Sequence, residues 1–253
     1  MRIIMLYGQK AGGGKTTMAS ALALAAQHAG VRVALADLSG GEGGVDTLNK
    51  ARTEAGLTPI TVIKPPRAPG GPRFTWATQA FEQIRRSAEN YGADLLIVDT
   101  GAGRETFELN AAAGVACDIL VTPLLDSPLD LYSLARGDDA PSVSRFLRAA
   151  ASHREDDGPT WVVVRNRTPH LATRLGGRIA QRLTEQAHAF GYRCIEGLKD
   201  RVAYREMFDT GRSPLDGPGD NRAPTPGHIA ARAEVERLAE SFGLRRLAAE
   251  AAA

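Results

Sequence analysis

The sequence has few cysteines, no long apolar run and almost no net charge, and each absence excludes a class of protein. Cys117 and Cys194 are the two cysteines among 253 residues, too few for a disulfide framework or a zinc site. No stretch approaches the roughly 18 consecutive apolar residues of a membrane span. The N-terminal apolar run breaks at Gly8, too early for a signal peptide. We therefore expect a cytoplasmic protein.

Positive and negative charges nearly cancel, with 31 Lys and Arg against 29 Asp and Glu and a formal net charge of +2. Taken over the whole chain, this balance gives no sign of a nucleic-acid partner. Hydrophobic residues make up 43% and charged residues 24%, close to globular averages, so neither disorder nor a fibrous repeat is expected. The length suits one α/β domain that spans residues 1–253.

Short apolar runs alternate with helix-like stretches along the chain. Strands are predicted at residues 3–7, 31–36, 60–63, 95–98, 119–122 and 161–164, and the clearest helices at 16–29, 74–91 and 229–242. Continuous apolar runs indicate parallel strands that are covered on both faces. The alternation with helices predicts an α/β fold with a doubly wound, mostly parallel sheet. A surface loop at 212–227 should precede a last helix, at about 228–243, that docks on the same domain.

The strongest motif is GQKAGGGKTT at residues 8–17, between a predicted strand and a predicted helix. Glycines let backbone N–H groups converge on phosphate oxygens, and the following helix presents its positive N-terminal end to them. Lys15 would reach the β- and γ-phosphates of ATP, and the Thr16 hydroxyl would bind Mg²⁺. The predicted nucleotide-binding residues of this loop are Gly12, Gly13, Gly14, Lys15, Thr16 and Thr17.

A second lysine, Lys10, precedes Lys15 by five residues, and Gln9 occupies the first glycine position of the ordinary Walker A motif. In these features the loop resembles that of the ParA/MinD family of deviant Walker ATPases, which reads K-G-G-x-x-K-S/T. Ala11 departs from the first of the two glycines. The resemblance implies a P-loop ATPase fold in which the early lysine, Lys10, crosses a dimer interface to the partner's nucleotide.

Two acids follow predicted strands and suit a Mg²⁺ site. Asp99 follows the strand at 95–98, as the acid that holds the metal does in P-loop ATPases. Asp37 matches the first acid of the family's D-x-D motif, but Ser39 stands at the second, which is associated with hydrolysis. A serine hydroxyl is too weak a base to replace it, so we expect weak ATPase activity unless Glu42 or Asp46 compensates. The predicted catalytic residues are Lys10, Lys15 and Asp37, and the predicted metal-binding residues are Thr16, Asp37 and Asp99.

Several segments of the second half resemble the MipZ group of that family: VTPLLDS at 121–127, WVVVRNR at 161–167, LKDRVAYREMF at 198–208 and HIAAR at 228–232. The plasmid-transfer proteins of the VirC type share the first segment. The MipZ resemblance implies ATP-bound homodimers that bind DNA non-specifically and are nucleoid-associated. It implies an FtsZ-like division protein and a ParB-like partitioning protein as partners. It also implies that Asn166 contacts adenine; a turn-forming asparagine is the alternative.

Basic residues concentrate between residues 165 and 205, where nine Arg and Lys against three acids give a net charge of +6. Three of these arginines are spaced four residues apart and would form one stripe on a helix, although two adjacent glycines weaken that helix. Such a stripe favours sequence-independent binding to the DNA backbone; a solvated helix face is the alternative. The predicted DNA-binding residues are Arg174, Arg178, Arg182 and Arg193.

Two other functions share the loop. A P-loop metabolic kinase or synthetase needs neither Lys10 nor the basic stripe, and an ATP-bound scaffold without hydrolysis is compatible with Ser39. An iron–sulfur reductase is excluded because Cys117 and Cys194 lie in unsuitable settings. The C-terminal segment at 242–247 lacks the bulky apolar face of a membrane anchor, so no membrane attachment is expected.

Overall fold

A computed structural model describes residues 1–40, 43–68, 74–101, 106–134, 142–171, 173–219 and 223–251. Its strands are β1 (Arg2–Leu6), β2 (Val33–Asp37), β3 (Thr61–Ile63), β4 (Leu95–Asp99), β5 (Ile119–Leu124), β6 (Thr160–Arg165) and β7 (Arg193–Glu196). They form one parallel sheet in the order β3-β2-β4-β1-β5-β6-β7. The prediction of a parallel sheet is confirmed. The edge strand β7 was not predicted, because its sequence RCIE is not a continuous apolar run.

Helices cover both faces of this sheet. They are α1 (Lys15–His28), α2 (Gly44–Glu54), α3 (Phe74–Tyr91), α4 (Phe107–Ala116), α5 (Pro128–Leu134), α6 (Val143–Ala151), α7 (Arg174–Phe190), α8 (Val202–Thr210), α9 (Pro226–Ser241) and α10 (Leu244–Ala251). One apolar layer contains side chains from α1, α2, α8, α9 and α10, and the other contains side chains from α3 to α7. The fold is therefore doubly wound, as the sequence predicts.

Local sequence explains where these elements lie. In α1, residues 18–26 are all buried, which agrees with a helix that is Ala- and Leu-rich on every side. The last predicted helix begins earlier than expected, because the Thr225 hydroxyl accepts the His228 N–H as an N-cap and Pro226 occupies the first turn. A further helix, α10, buries Leu244 and Leu247. In the described chain, no helix is both long and apolar enough to cross a bilayer.

The order of the strands creates a crevice at one edge of the sheet. The chain leaves β1 through α1 toward β2, but leaves β4 through α4 toward β5, in the opposite direction along the sheet. Such a switch point opens a ligand crevice at the carboxyl ends of parallel strands. Leu6, Asp37 and Asp99 end β1, β2 and β4 in register, which places both acids at this crevice.

Candidate functional site

The loop between β1 and α1 has the conformation of a phosphate-binding loop. Gly12 and Gly14 have φ values of 79° and 87°, in the left-handed region that glycine adopts without strain. Gly14 is the N-cap of α1, so the first backbone N–H groups of that helix face the loop. Lys15 is buried, and its Nζ donates to the backbone oxygens of Lys10 at 3.1 Å and Gly8 at 3.4 Å. Burial lowers the pKa of Lys15, and Asp99 partly opposes this shift.

A cavity of about 480 Å³ opens over this loop. Its walls include predicted nucleotide residues: Gly12, Gly14, Lys15, Thr16, Thr17 and Asn166. They also include residues to which the sequence assigned no role: Thr100, Gly101, Arg167, Leu198, Lys199, Asp200, Arg201, Tyr204 and Arg205. The segment at 198–208 resembles MipZ, and that resemblance was the available signal for the last six. The phosphate loop and the residues at 198–205, which form the side wall, therefore face one cavity of the size of a small-molecule site.

Asn166 is tied to the phosphate loop. It is buried directly after β6, and its Nδ2 donates to the Gly13 carbonyl at 3.0 Å. A Cβ on Gly14 would lie only 2.4 Å from the same Nδ2, so Gly14 provides the space for this contact. Asn166 Oδ1 is buried and accepts no hydrogen bond from the described residues. An orphaned acceptor beside the cavity suits a ligand donor such as an adenine amino group, and this role stays a prediction.

Asp37 and Asp99 lie side by side on neighbouring strands. Both oxygens of Asp99 and the Oδ2 of Asp37 are buried without a hydrogen bond from the described residues. Burial raises the pKa of Asp99 to about 6, and Asp37 adds to this shift, whereas the nearby Thr16 hydroxyl and Lys15 oppose it. Buried orphaned carboxylate oxygens beside a hydroxyl are oxygen donors that a hard cation prefers. The predicted metal-binding residues therefore fit Mg²⁺.

The Ser39 side chain is bonded to Asp37, and Asp46, one of the two candidates for compensation, is bonded to other groups. The Ser39 hydroxyl donates to Asp37 Oδ1 at 2.5 Å, and its backbone N–H donates to the same oxygen at 2.9 Å. Asp46 accepts the Gly43 N–H at 3.0 Å and the Lys64 Nζ at 2.6 Å. These bonds lower the pKa of Asp46, with Lys64 the main cause. Glu42 lies outside the described residues.

Lys10 lies at the rim of the site, and its side chain is 50% exposed. Its Nζ contacts Asp130 Oδ1 at 2.6 Å in the first turn of α5. Lys10 is not among the described residues that line the cavity, and its ammonium group is held by Asp130. A role of Lys10 at the nucleotide of a partner stays a prediction.

Four of the nine basic residues at 165–205 form ion pairs with other described residues. Arg165 pairs with Asp126 and Glu196, Arg201 pairs with Glu234, and Asp200 lies beside both Arg167 and Arg205. Two of these acids, Asp126 and Glu234, lie outside the segment whose charge was counted. The positive charge available to a binding partner is therefore smaller than the +6 counted for residues 165–205. It depends on the basic residues of the segment that lie outside these ion pairs.

Residues 174–182 are helical, at the start of α7, so the condition for the predicted stripe is met and its three arginines are exposed on one helix. Arg174, Arg178 and Arg182 make no ion pair with any described residue. Arg193 does not join this stripe: its guanidinium donates to the Ser241 carbonyl of α9 at 3.0 Å, on the other face of the sheet from α7. We call the first three residues the α7 stripe.

Comparison with known proteins agrees with this geometry. A profile of the family described as ATPase MipZ matches residues 75–246, more than half of the chain. The fold is similar to the ATP complex of McdA from Cyanothece, with 15% identity, 96% of each chain covered and a TM-score of 0.60. It is similar to the septum site-determining protein MinD with Mg-ADP from Pyrococcus horikoshii, with 15% identity, coverage of 96% and 98% and a TM-score of 0.60. A plasmid partition protein from Borrelia burgdorferi bound to AMPPNP gives 12% identity, coverage of 95% and 99% and a TM-score of 0.59. The search of curated proteins finds no match.

Proposed function

The chain belongs to the ATPase MipZ family, and from this premise we propose that it is an ATP-dependent dimerising switch. In this proposal the ATP-bound dimer binds DNA without sequence preference and positions or regulates the cell-division or partitioning machinery. The observation that carries the proposal is one arrangement of charged groups. A phosphate loop with a buried Lys15 lies beside an exposed Lys10, and a separate helix presents the α7 stripe, which forms no ion pair with the described residues.

ATP is the proposed ligand of the cavity. The triphosphate would contact the backbone N–H groups of residues 12–17, and Lys15 would neutralise its terminal charge. Thr16, Asp37 and Asp99 would hold Mg²⁺, which when bound neutralises phosphate charge and orders the phosphate oxygens. Asn166 would present its orphaned Oδ1 to the base.

Hydrolysis is proposed to be slow. The Ser39 hydroxyl already donates its proton to Asp37 and has no charge with which to attract a proton from water. Asp46 is engaged by Gly43 and Lys64. ATP binding would therefore set the state of the switch, and turnover would return it to the monomer slowly. A scaffold that binds ATP and never hydrolyses it is the limiting case of this proposal.

Dimerisation is proposed to depend on Lys10, which would leave Asp130 and contact the nucleotide of the partner subunit. DNA binding is proposed to depend on the α7 stripe, because two copies in a dimer present twice the positive charge to phosphates. Nucleoid association would follow from that contact. A ParB-like protein and an FtsZ-like protein are the proposed partners, on the strength of the family alone.

Gel filtration with and without ATP and Mg²⁺ tests this proposal, repeated with Lys10→Ala and with a DNA duplex of arbitrary sequence. We expect a monomer without nucleotide, a dimer with ATP, no dimer for Lys10→Ala, and coelution with DNA for the dimer alone. A monomer that binds ATP under every condition would contradict the proposal and favour a metabolic P-loop enzyme. Dimers that form with ATP but do not coelute with DNA would contradict the DNA-binding part of the proposal and would still support ATP-dependent dimerisation.

A further inference from the structure

A buried carboxylate on helix α9 is bonded to the side wall of the nucleotide cavity. Glu234 is 3% exposed. Its Oε1 accepts from Arg201 Nε at 2.9 Å and Nη2 at 2.7 Å, and its Oε2 accepts the Lys199 N–H at 3.1 Å. The Tyr204 hydroxyl lies 2.9 Å from the same Oε2 and 3.0 Å from the Ala231 carbonyl. All three donor residues line the cavity.

The segment that Glu234 holds has only limited support from secondary structure. Residues 197–201 connect the edge strand β7 to α8. On one side, backbone bonds tie the segment to the chain that follows β6: the Arg167 N–H donates to Leu198 O at 2.6 Å, and the Asp200 N–H donates to Thr168 O at 3.1 Å. On the other side, Glu234 binds Lys199 and Arg201. The segment is therefore fixed between the neighbourhood of Asn166 and helix α9.

A buried carboxylate such as Glu234 is unfavourable in free energy, so its presence at this position needs an explanation. Removing a carboxylate from water is unfavourable, and replacing a buried ion pair by apolar residues is often neutral for stability. Burial alone would raise the pKa of Glu234, but the bonds from Arg201, Lys199 and Tyr204 outweigh it and lower that pKa. The group is therefore ionised at neutral pH and makes four directed contacts, which fix both a backbone position and two side chains.

We propose that Glu234 is a positioning residue of the nucleotide site: it holds Lys199, Arg201 and Tyr204 as the wall that receives the nucleoside part of the ligand. The inference rests on the proposed function, since it takes the phosphate loop as the triphosphate site. Residues 12–17 would then bind the phosphates, and the side wall next to α9 would contact the ribose and the base. Through Glu234, the docking of helix α9 sets nucleoside affinity.

Glu234→Gln tests this inference, because glutamine keeps the shape but places an N–H group against the donors of the wall. Glu236→Gln is the matched control: Glu236 lies on the same helix, but it is exposed and pairs with Arg232. Isothermal titration would measure Kd for ATP, ADP and inorganic tripolyphosphate. We expect Glu234→Gln to raise Kd for ATP and ADP at least about fivefold and to leave that for tripolyphosphate within twofold. Glu236→Gln should change none of the three.

Three other outcomes would bear on the positioning role of Glu234 or on the proposed function. Unchanged ATP affinity in Glu234→Gln, or an equal loss for ATP and tripolyphosphate, would overturn the positioning role. If Glu234→Gln does not fold, Tyr204→Phe carries the same comparison, because it removes the hydroxyl that contacts Glu234 and the Ala231 carbonyl and keeps the ring. A two- to threefold loss selective for ATP is expected. Failure of the unmodified protein to bind ATP would overturn the proposed function, and this inference with it.

Discussion

Lys10 and Asp130 form an ion pair with a separation of 2.6 Å, which ties the phosphate loop to the first turn of α5. The second oxygen of Asp130 accepts the Leu125 N–H at 3.2 Å, so the carboxylate is itself fixed at the end of β5. A lysine that serves the partner's nucleotide must first leave this contact. In the proposed dimer each subunit's Lys10 would leave its Asp130, so the ion pair would oppose dimerisation by about 0.2–1 kcal/mol for each of the two subunits.

We predict that Asp130→Asn strengthens ATP-dependent dimerisation. The amide oxygen still accepts the Leu125 N–H, but the charge that holds Lys10 is removed. Analytical ultracentrifugation with ATP and Mg²⁺ should give a dimer dissociation constant about two to thirty times lower than that of the unmodified protein, because two ion pairs no longer oppose each dimer.

Asp118→Asn is the control for this change, since it also removes one negative charge but Asp118 bonds the Ile3 N–H rather than Lys10. An unchanged dimer constant in Asp130→Asn would mean that the ion pair does not oppose dimerisation. A weaker dimer would assign Asp130 itself to the interface.

Removal of the α7 stripe should weaken DNA binding and spare nucleotide binding. We expect Arg174→Ala with Arg178→Ala to lower affinity for a duplex at least about tenfold in the presence of ATP. The salt dependence should also become shallower, by about 0.9 in log Kd against log salt for each DNA phosphate that the variant no longer neutralises. Fluorescence anisotropy at several salt concentrations measures both effects.

Arg193→Ala separates the α7 stripe from the wider basic cluster. Because Arg193 is bonded to Ser241 on the other face of the sheet, we expect its removal to change DNA affinity less than twofold. An equal loss of affinity from Arg193→Ala and Arg178→Ala would extend the DNA surface around the edge strand. Unchanged binding in the double variant would exclude the stripe.

ATP turnover should be slow and nearly independent of Ser39. We expect a steady-state rate well below the roughly 1–100 per second of kinases, and a change of less than twofold in Ser39→Ala, because the hydroxyl supplies no base. Ser39→Asp, which restores the acid of the family motif, should raise the rate at least about tenfold. Abolished turnover in Ser39→Ala would show that the hydroxyl is needed, and a kinase-like rate would contradict slow hydrolysis. A phosphate-release assay distinguishes these outcomes.

The central part of this fold could be predicted from sequence because its strands are buried on both faces. Strands such as β1 and β4 contain continuous apolar runs, and the sequence marks where they end: Gly8 lies two residues after β1, and Asp99 is the last residue of β4. The edge strand β7 lacks that signal, since an edge strand has one neighbour and both ends of its RCIE sequence are exposed. The apolar pattern therefore finds the central strands and the apolar edge strand β3, and it misses the polar edge strand β7.

The candidate site was predictable only where local sequence determines geometry. The loop at 8–17 and Asp99 follow from a strand, a turn and a helix in a fixed order. The bond from Glu234 to Arg201 joins residues 33 positions apart, and no local pattern indicates it. The charge of the 165–205 segment was overestimated for the same reason, because Asp126 neutralises Arg165 from outside it.

Alanine substitutions at the two adjacent glycines of α7 should change the free energy of unfolding in opposite directions. Gly177 is exposed, and a Cβ there would meet open space, so Gly177→Ala should stabilise the protein by about 0.5–1 kcal/mol through helix propensity. A Cβ on Gly176 would lie 2.8 Å from Asp126 Oδ2, which binds Arg165, so Gly176→Ala should destabilise it. Urea unfolding measures both free energies. Equal effects of the same sign would contradict the close approach at Gly176.

The stability of the fold at acid pH should depend on Asp216, which joins the loop after α8 to helix α2 through its bonds. Asp216 accepts from the buried Arg52 at 2.8 Å and from the Ser213 hydroxyl at 2.7 Å. Burial alone would raise the pKa of Asp216, but these bonds outweigh it and lower that pKa from 3.8 to about 2. Because folding lowers this pKa, its contribution to stability is fully present above about pH 4 and is lost as the pH falls toward 2.

We therefore expect Asp216→Asn to lower the free energy of unfolding at pH 7 by roughly 2–4 kcal/mol, since it leaves the Arg52 guanidinium buried without its counter-charge. The same variant should show a weaker loss of stability between pH 4 and pH 2 than the unmodified protein. Asp209→Asn, at an exposed position of α8, is the control and should change neither quantity. Urea unfolding followed by circular dichroism across this pH range makes the comparison. Identical pH profiles for Asp216→Asn and the unmodified protein would show that acid unfolding is governed by other carboxylates.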